Sequence, residues 1–348
     1  MKKKFLFRIH SVAGLVSGLF ILLLSLSGAA LVFHDELDAL QQPTVLAQKR
    51  LSLLSIDSCY SILQQNYPHA QISNCNIAES STKPFSFSIY DSTLAKGTAG
   101  IQVFLHPQTG AILKTRGGSN DINHNFMSWL SAFHSSFHLH KSGEWMLGFF
   151  AIVFLISLVS GMILYRKNIW SVLTFKKNDL HQLIGVYALL FNLMIAFTGF
   201  WMQRYVFKKE FYSASNYIPV IKRSPPLTFK FNSAFNNIEK KFPGFTSYVI
   251  YFAQSKKGNT AVYGSRKSNS FIHSKKFADA ILLDSTGNIA STRFVNEISP
   301  GDRYDIISSQ IHFGKYGGLP VKIMYSLLGL ASALLSITGF ILWLRRKK

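Results

Sequence analysis

The chain has little acidic charge and almost no cysteine. Among its 348 residues, 16 are Asp or Glu against 37 Lys or Arg, and only two are cysteine. Cys59 and Cys75 are not at Cys-x-x-Cys spacing, so they predict neither a metal site nor a redox pair. An oxidising compartment would permit a disulfide between them, and two free thiols are the alternative.

Signatures of several enzyme classes are also missing. The sequence has no Walker loop, no Gly-x-Gly-x-x-Gly after a strand and no His-Glu-x-x-His. Nucleotide-driven, nicotinamide-dependent and zinc-hydrolase mechanisms are therefore not indicated. The basic excess is not accompanied by a DNA- or RNA-binding motif, so we expect no nucleic-acid partner.

Long apolar runs are what the chain has instead. Four segments carry almost no charge, and each is long enough to cross a hydrocarbon core of about 30 Å as a helix. They predict an integral membrane α-helical fold, a four-span bundle with spans at 7–33, 144–165, 181–205 and 321–344. A cleaved signal peptide is the alternative for the first span, although its apolar run is longer than such a peptide needs.

The flanking charges predict an orientation. Basic residues cluster at both ends of the chain and in the short segment 166–180 between the second and third spans. By the positive-inside rule, these three clusters and both termini are cytoplasmic. The long segments 34–143 and 206–320 then face outward. The first is balanced in charge and the second is basic, which favours an anionic ligand or lipid headgroups as partners.

Two halves of the chain repeat one pattern. A histidine is followed after four residues by a glycine and after 18 residues by a second glycine, which a serine or threonine precedes. The matched positions are His10, Gly14 and Ser27-Gly28 in the first half, and His181, Gly185 and Thr198-Gly199 in the second. An offset of 18 is five helical turns, so each histidine shares a helix face with its second glycine.

A second pair of histidines repeats in the same way. His134 lies 27 residues before Gly161 of Ser160-Gly161, and His312 lies 27 before Gly339 of Thr338-Gly339. This offset puts histidine and glycine out of phase unless the helix is broken between them. His138 follows His134 closely and is the alternative to it.

The long segments repeat as well. Each contains a helical stretch, an aromatic-proline pair, a β-rich region and a Thr-Gly hairpin signal. The pairs are Tyr67-Pro68 with Thr109-Gly110, and Phe242-Pro243 with Thr286-Gly287. We therefore expect two outward-facing α+β modules, at 34–143 and 206–320, and a parallel internal duplication with its axis along the membrane normal.

Such an axis places equivalent histidines opposite each other. His10 would face His181 near the cytoplasmic surface, and His134 would face His312 near the outer surface. Paired imidazoles fill both axial positions of an electron-transfer haem, so these four are candidate cofactor-binding residues and iron ligands of two haems. Taken singly, a histidine near a helix end more often contacts a headgroup, and glycines four apart more often serve helix packing.

These repeated motifs resemble the PepSY-associated transmembrane family of iron-regulated inner-membrane proteins, whose members include ferrisiderophore reductases. The resemblance implies PepSY-like outer modules, a bacterial inner-membrane location and two b-type haems. It also implies an oxidoreductase that reduces a ferric siderophore, or a similar anionic ferric chelate, on the outer side. A separate reductase or quinol would supply electrons, and Arg8, Lys141 and Lys315 are candidates for pairing with haem propionates.

Two other functions remain open at this point. One is a haem-free membrane adaptor that uses its PepSY-like modules to bind a peptide or a transporter. The other is a quinol-linked cytochrome that donates to a protein partner. The adaptor leaves the four matched histidines unexplained.

Overall fold

The computed structural model describes residues 3–48, 51–91, 93, 100–169, 179–213, 223–255, 257–267 and 269–347. Most of the basic loop 166–180, including Lys176 and Lys177, lies outside the described residues. The described chain divides into two compact units. One contains residues 1–34, 130–216 and 307–348, and the other contains residues 35–129 and 217–306.

Helices occur in both units and strands in the second. The helices are α1 (Lys3–Leu31), α2 (His34–Ala39), α3 (Ile56–Asn66), α4 (Phe126–Ser136), α5 (His140–Tyr165), α6 (Leu180–Tyr187), α7 (Leu189–Gln203), α8 (Lys209–Ser213), α9 (Phe231–Lys241), α10 (Pro300–Phe313) and α11 (Gly318–Lys347). The strands are β1 (Gln71–Asn76), β2 (Phe85–Tyr90), β3 (Ile101–Leu105), β4 (Ile112–Gly117), β5 (Phe245–Tyr251), β6 (Thr260–Arg266), β7 (Asp279–Leu283) and β8 (Ile289–Arg293).

The first unit is a helical bundle. Within the described residues, three helices are long and apolar enough to cross a membrane, namely α1, α5 and α11. The segments Leu180–Tyr187 and Leu189–Phe207 pass the same test only as a pair, bent by 62°. Helix α1 packs against α5 and α11, α7 packs against α5, and α6 packs against α11.

The expected four-span α-helical bundle with separate modules is wrong as a fold class. The described residues contain three unbroken candidate spans, one bent pair and an eight-stranded sheet. The bend lies at Ala188, whose backbone N–H bonds to Ile184 at the end of α6. Neither proline nor glycine occupies this position. Apolar length alone therefore predicted one straight helix where the structure has two.

The second unit is built on a single antiparallel sheet. Its strand order is β4-β3-β2-β1-β5-β6-β7-β8, so each half of the chain contributes four adjacent strands. The halves join where β1 pairs with β5, with Cys75 opposite Ile250. The sequence predicted strands in two modules but not their union. An edge strand exposes unpaired backbone groups, and here β1 and β5 satisfy each other.

The internal repeat is visible in the backbone of this unit. The C-cap residues of α3 and α9 are Tyr67 and Phe242, which have nearly equal backbone angles (φ −130°, ψ 71° and φ −131°, ψ 71°). The two predicted Thr-Gly hairpins are confirmed, since they join β3 to β4 and β7 to β8. Gly110 and Gly287 adopt φ of +75° and +83° in these turns, a region that disfavours residues with a Cβ.

Both cysteines lie in the hydrophobic core between α3 and the sheet. Cys59 and Cys75 are free thiols with no exposed surface, among neighbours that include Leu63 and Phe87. Desolvation raises the pKa of Cys59 to about 12 and that of Cys75 well above its usual value. The structure therefore contains two free thiols, one of the two alternatives that the sequence left open.

We expect these thiols to be inert in the folded protein. At pH 8 a thiol with a pKa of about 12 is thiolate in only about one molecule in ten thousand, and thiolate is the reacting form. Maleimide labelling followed by intact-mass measurement should add nothing to the native protein and two labels in denaturant without reductant. Unlabelled protein in denaturant that becomes labelled only after reduction would reveal a disulfide and contradict this expectation.

Candidate functional site: two histidine pairs

The four histidines selected from the repeat form two pairs in the helical unit. The ring centres of His10 and His181 are 6.3 Å apart, with 62° between their planes. The ring centres of His134 and His312 are 6.4 Å apart, with 55° between their planes. Each pair takes one histidine from each half of the chain, as a parallel duplication requires.

Local sequence places the first pair, which we call the inner pair. His10 lies near the start of α1, a largely apolar helix that runs from Lys3 to Leu31. His181 lies in the first turn of α6, where the Asp179 carboxylate accepts the backbone N–H groups of His181 and Gln182. An N-cap of this kind satisfies donors that a helix start leaves without partners and fixes where α6 begins.

The second pair, which we call the outer pair, lies on helices that precede the long spans. His134 is on α4 and His312 is on α10, and a break follows each of these helices before α5 and α11. The break after α4 contains Phe137 and His138, both at positive φ. These breaks resolve the phase mismatch of the 27-residue offset. The ring that faces His312 is that of His134, whereas His138 lies beside Phe133.

Every one of the four imidazoles packs on a glycine of another helix. A Cβ added at Gly161 would lie 2.9 Å from Cε1 of His10, and one added at Gly28 would lie 3.1 Å from Cε1 of His134. The second half repeats this arrangement, with Gly339 against His181 and Gly199 against His312, both at 3.1 Å. Real side chains avoid such distances, so the absence of a Cβ is what admits each ring.

In each half of the chain, each glycine contacts the histidine with which the sequence offsets had not paired it. Gly28 shares α1 with His10 but receives His134, and Gly161 follows His134 in the chain but receives His10. The structure thus places these glycines against the imidazole rings of neighbouring helices, and this explains why both offsets recur.

The Nδ1 atom of each ring has a hydrogen-bond partner close to its glycine. For three rings the partner is the hydroxyl immediately before that glycine, at 2.8–3.0 Å. The pairs are Ser27 with His134, Thr338 with His181 and Thr198 with His312. For His10 the partner is the backbone carbonyl of Ser157, at 2.9 Å. The described residues provide no hydrogen bond to Nε2 of these four rings.

A cavity of about 530 Å³ opens beside the inner pair. His10 and His181 both line it, together with Gly14, Gly18 and apolar side chains of α1, α5 and α11. This volume falls in the range of about 300–1,000 Å³ found for small-molecule and cofactor sites. A Cβ added at Gly18 would have nothing within 4 Å, so this glycine leaves part of the wall open.

The ring separation tests whether a haem iron would fit. Histidine nitrogens lie about 2.0–2.1 Å from first-row metals such as zinc and about 1.1 Å from their own ring centre, so two imidazoles on opposite sides of one metal have centres roughly 6.3 Å apart. Both observed separations agree. Within the described residues, no group of three or more His, Cys, Asp or Glu side chains could hold a bare metal ion. Two imidazoles suit an iron whose remaining ligands come from a porphyrin.

The basic residue that lines the inner cavity is not one of those selected from the sequence. Arg346 of α11 lines the inner cavity, and its guanidinium lies 4.2 Å from the ring centre of Phe7. Arg8 is absent from the described lining. Near the outer pair, Lys141 donates to the backbone carbonyl of Phe211.

Sequence reasoning also missed the hydroxyl groups. The Ser/Thr-Gly pairs were noted as part of the repeat, but the hydroxyl had no assigned role. A signal was present, since a residue able to bond through a hydroxyl precedes all four glycines. Ser160 departs from the pattern, because its hydroxyl donates to the Ser157 carbonyl rather than contacting His10.

A family model described as "PepSY-associated TM region" matches residues 7–346, which is nearly the whole chain. No curated protein matches the sequence.

Proposed function

Because the chain belongs to the PepSY-associated transmembrane family, we propose that this membrane protein transfers electrons through two b-type haems. His10 with His181, and His134 with His312, would each hold one haem iron. A haem held by two imidazoles would supply one-electron transfer. The observation that carries this proposal is the presence of two cross-half histidine pairs with equal ring spacing.

The levels of the two pairs suit transfer across a membrane. His10 lies on α1, and Gly28, which contacts the ring of His134, lies 18 residues further along the same helix. At about 1.5 Å per residue, the two levels are about 27 Å apart along α1. A hydrocarbon core is about 30 Å thick, so each pair would lie near one membrane surface.

The protein's residues have defined tasks in this proposal. The imidazoles ligate, and the four glycines let the rings approach neighbouring helices. The walls that α1, α5 and α11 give the inner cavity are largely apolar, which would disfavour water beside a bound cofactor. Arg346 lines that cavity and is available to pair with a carboxylate of the bound group.

For the substrate, we propose a ferric siderophore or another anionic ferric chelate on the outer side of a bacterial inner membrane. The basic balance of segment 206–320 supports an anionic ligand, and the basic flanks support cytoplasmic termini. One electron reduces each ferric ion to ferrous, which hard oxygen ligands hold less tightly. A separate reductase or quinol would donate the electrons.

Reconstitution tests this function. Purified full-length protein in vesicles containing dithionite should reduce a ferric chelate supplied outside, and a ferrous-specific dye should report the product. Vesicles carrying the His10→Ala/His134→Ala variant should reduce it no faster than protein-free vesicles. Equal rates in all three preparations would contradict the proposal. Colourless wild-type protein that captures a peptide or transporter would instead support the adaptor function.

A further inference from the structure

Three of the four hydroxyls that precede the imidazole-contacting glycines make two contacts at once. Besides approaching Nδ1 of a histidine, Ser27, Thr198 and Thr338 each lie within hydrogen-bond distance of the helix carbonyl four residues earlier. Ser27 donates to Leu23 at 2.8 Å, Thr198 to Met194 at 2.7 Å and Thr338 to Leu334 at 2.9 Å. Together, these contacts connect a backbone carbonyl, a hydroxyl and an imidazole in one series of hydrogen bonds.

The direction of these hydrogen bonds follows if each hydroxyl donates to its helix carbonyl, which lies at 2.7–2.9 Å. A hydroxyl has one hydrogen, and a backbone carbonyl can only accept. Once the hydroxyl hydrogen is given to the helix carbonyl, its oxygen must accept the hydrogen bond from the imidazole. With that direction, the proton of each neutral ring lies on Nδ1, and the lone pair lies on Nε2.

His10 reaches the same state by another route. Its Nδ1 lies 2.9 Å from the carbonyl oxygen of Ser157, which has no hydrogen to give. Ser160, which corresponds to Thr338 in the repeat, donates to this same carbonyl at 3.0 Å. Four rings on four helices thus share one arrangement, in which Nδ1 faces a hydroxyl in three cases and a backbone carbonyl in the fourth. The carbonyls of Leu335 and Ile195 are further acceptors for His181 and His312.

We propose that Ser27, Thr198 and Thr338 are positioning residues that hold three histidines in the Nδ1–H tautomer. This leaves Nε2 of His134, His312 and His181 free to ligate, and the Ser157 carbonyl does the same for His10. The tautomer assignment is independent of any cofactor, whereas its consequence for iron depends on the proposed haem function.

The consequence is a control of reduction potential. A hydrogen bond from Nδ1–H makes the other ring nitrogen a more basic ligand, and a more basic ligand stabilises the ferric ion relative to the ferrous ion. Removing a hydroxyl should therefore raise the potential of the haem that its histidine ligates. For a one-electron couple, each tenfold loss of ferric preference raises the potential by 59 mV.

The test is a redox titration of full-length variants that retain both haems. Thr338→Val should raise the midpoint potential of the inner haem alone, and Thr338→Ser should restore it. Ser27→Ala should raise that of the outer haem alone, although Ser27 shares α1 with His10. Ser25→Ala removes a hydroxyl from the same helix that makes no hydrogen bond to a histidine among the described residues, so it should change neither.

A second measurement separates this inference from the haem function. Nitrogen-15 spectra of histidine-labelled, haem-depleted protein should show Nδ1 protonated and Nε2 unprotonated for the four rings, and Thr338→Val should alter the His181 signal. Protonated Nε2 would overturn the tautomer assignment even in a haem-containing protein. Correct tautomers in a protein that never binds haem would leave the assignment standing and defeat the haem function. Haems present with unshifted potentials in both hydroxyl variants would overturn the positioning role.

Discussion

Replacing His10 or His181 with alanine is expected to remove half of the low-spin haem signal. The reason is geometric. The two rings have centres 6.3 Å apart, and the described ring contacts place no other histidine beside either of them. Loss of one imidazole releases the inner haem or leaves it with a single axial ligand. Haem quantified as the pyridine complex should fall from about two per chain towards about one, and the outer haem should remain low-spin.

The corresponding variants of the outer pair make this prediction specific. His134→Ala and His312→Ala should remove the outer signal and leave the inner one. His138→Ala is the matched control, because His138 lies near the outer pair but beside Phe133 rather than His312. If His138→Ala removes a haem while His134→Ala does not, the outer ligand has been assigned to the wrong histidine.

Substituting Gly28 or Gly161, each of which contacts an imidazole, should have an effect of similar size. The haem lost should be that of the histidine which the glycine contacts. Gly28→Val places a branched side chain where Cε1 of His134 would lie 3.1 Å from the new Cβ. The imidazole must move away, so the outer haem should be lost although Gly28 shares a helix with the inner ligand His10. By the same reasoning, Gly161→Val should remove the inner haem, since its Cβ would lie 2.9 Å from Cε1 of His10.

Alanine variants provide the control for general helix damage. Gly185→Ala adds a methyl group whose nearest neighbour outside the local helix is Leu335, at an ordinary 3.6 Å. It should leave both haems in place, whereas Gly161→Ala should already weaken the inner one. Spectra in which Gly28→Val removes the inner haem and preserves the outer would show that each glycine serves the histidine of its own helix, contrary to the structure.

Much of this site follows from the spacing of the repeat. The matched offsets identified the four histidines, and the parallel duplication predicted which of them face each other. The spacing did not reveal that Gly28 contacts His134, because helix periodicity describes one helix and says nothing about its neighbour. The breaks at Phe137 and His138, which turn α4 away from α5, depend on tertiary packing that outweighs local preference.

The fold was less predictable than the site. Alternating apolar residues indicated the strands and their hairpins, but the pairing of β1 with β5 is a contact between distant segments that no local pattern encodes. Apolar length likewise predicted a straight third span. Ala188 is a good helix former, so its position at a 62° bend has no local sequence cause.

The spectrum of the purified wild-type protein tests the central claim most directly. Reduced and oxidised spectra in detergent, calibrated by pyridine haemochrome, should give about two low-spin b-type haems per chain, both with two axial imidazoles. A chain that folds with its native helix content and contains no haem, even when expressed with haem in excess, would contradict the account.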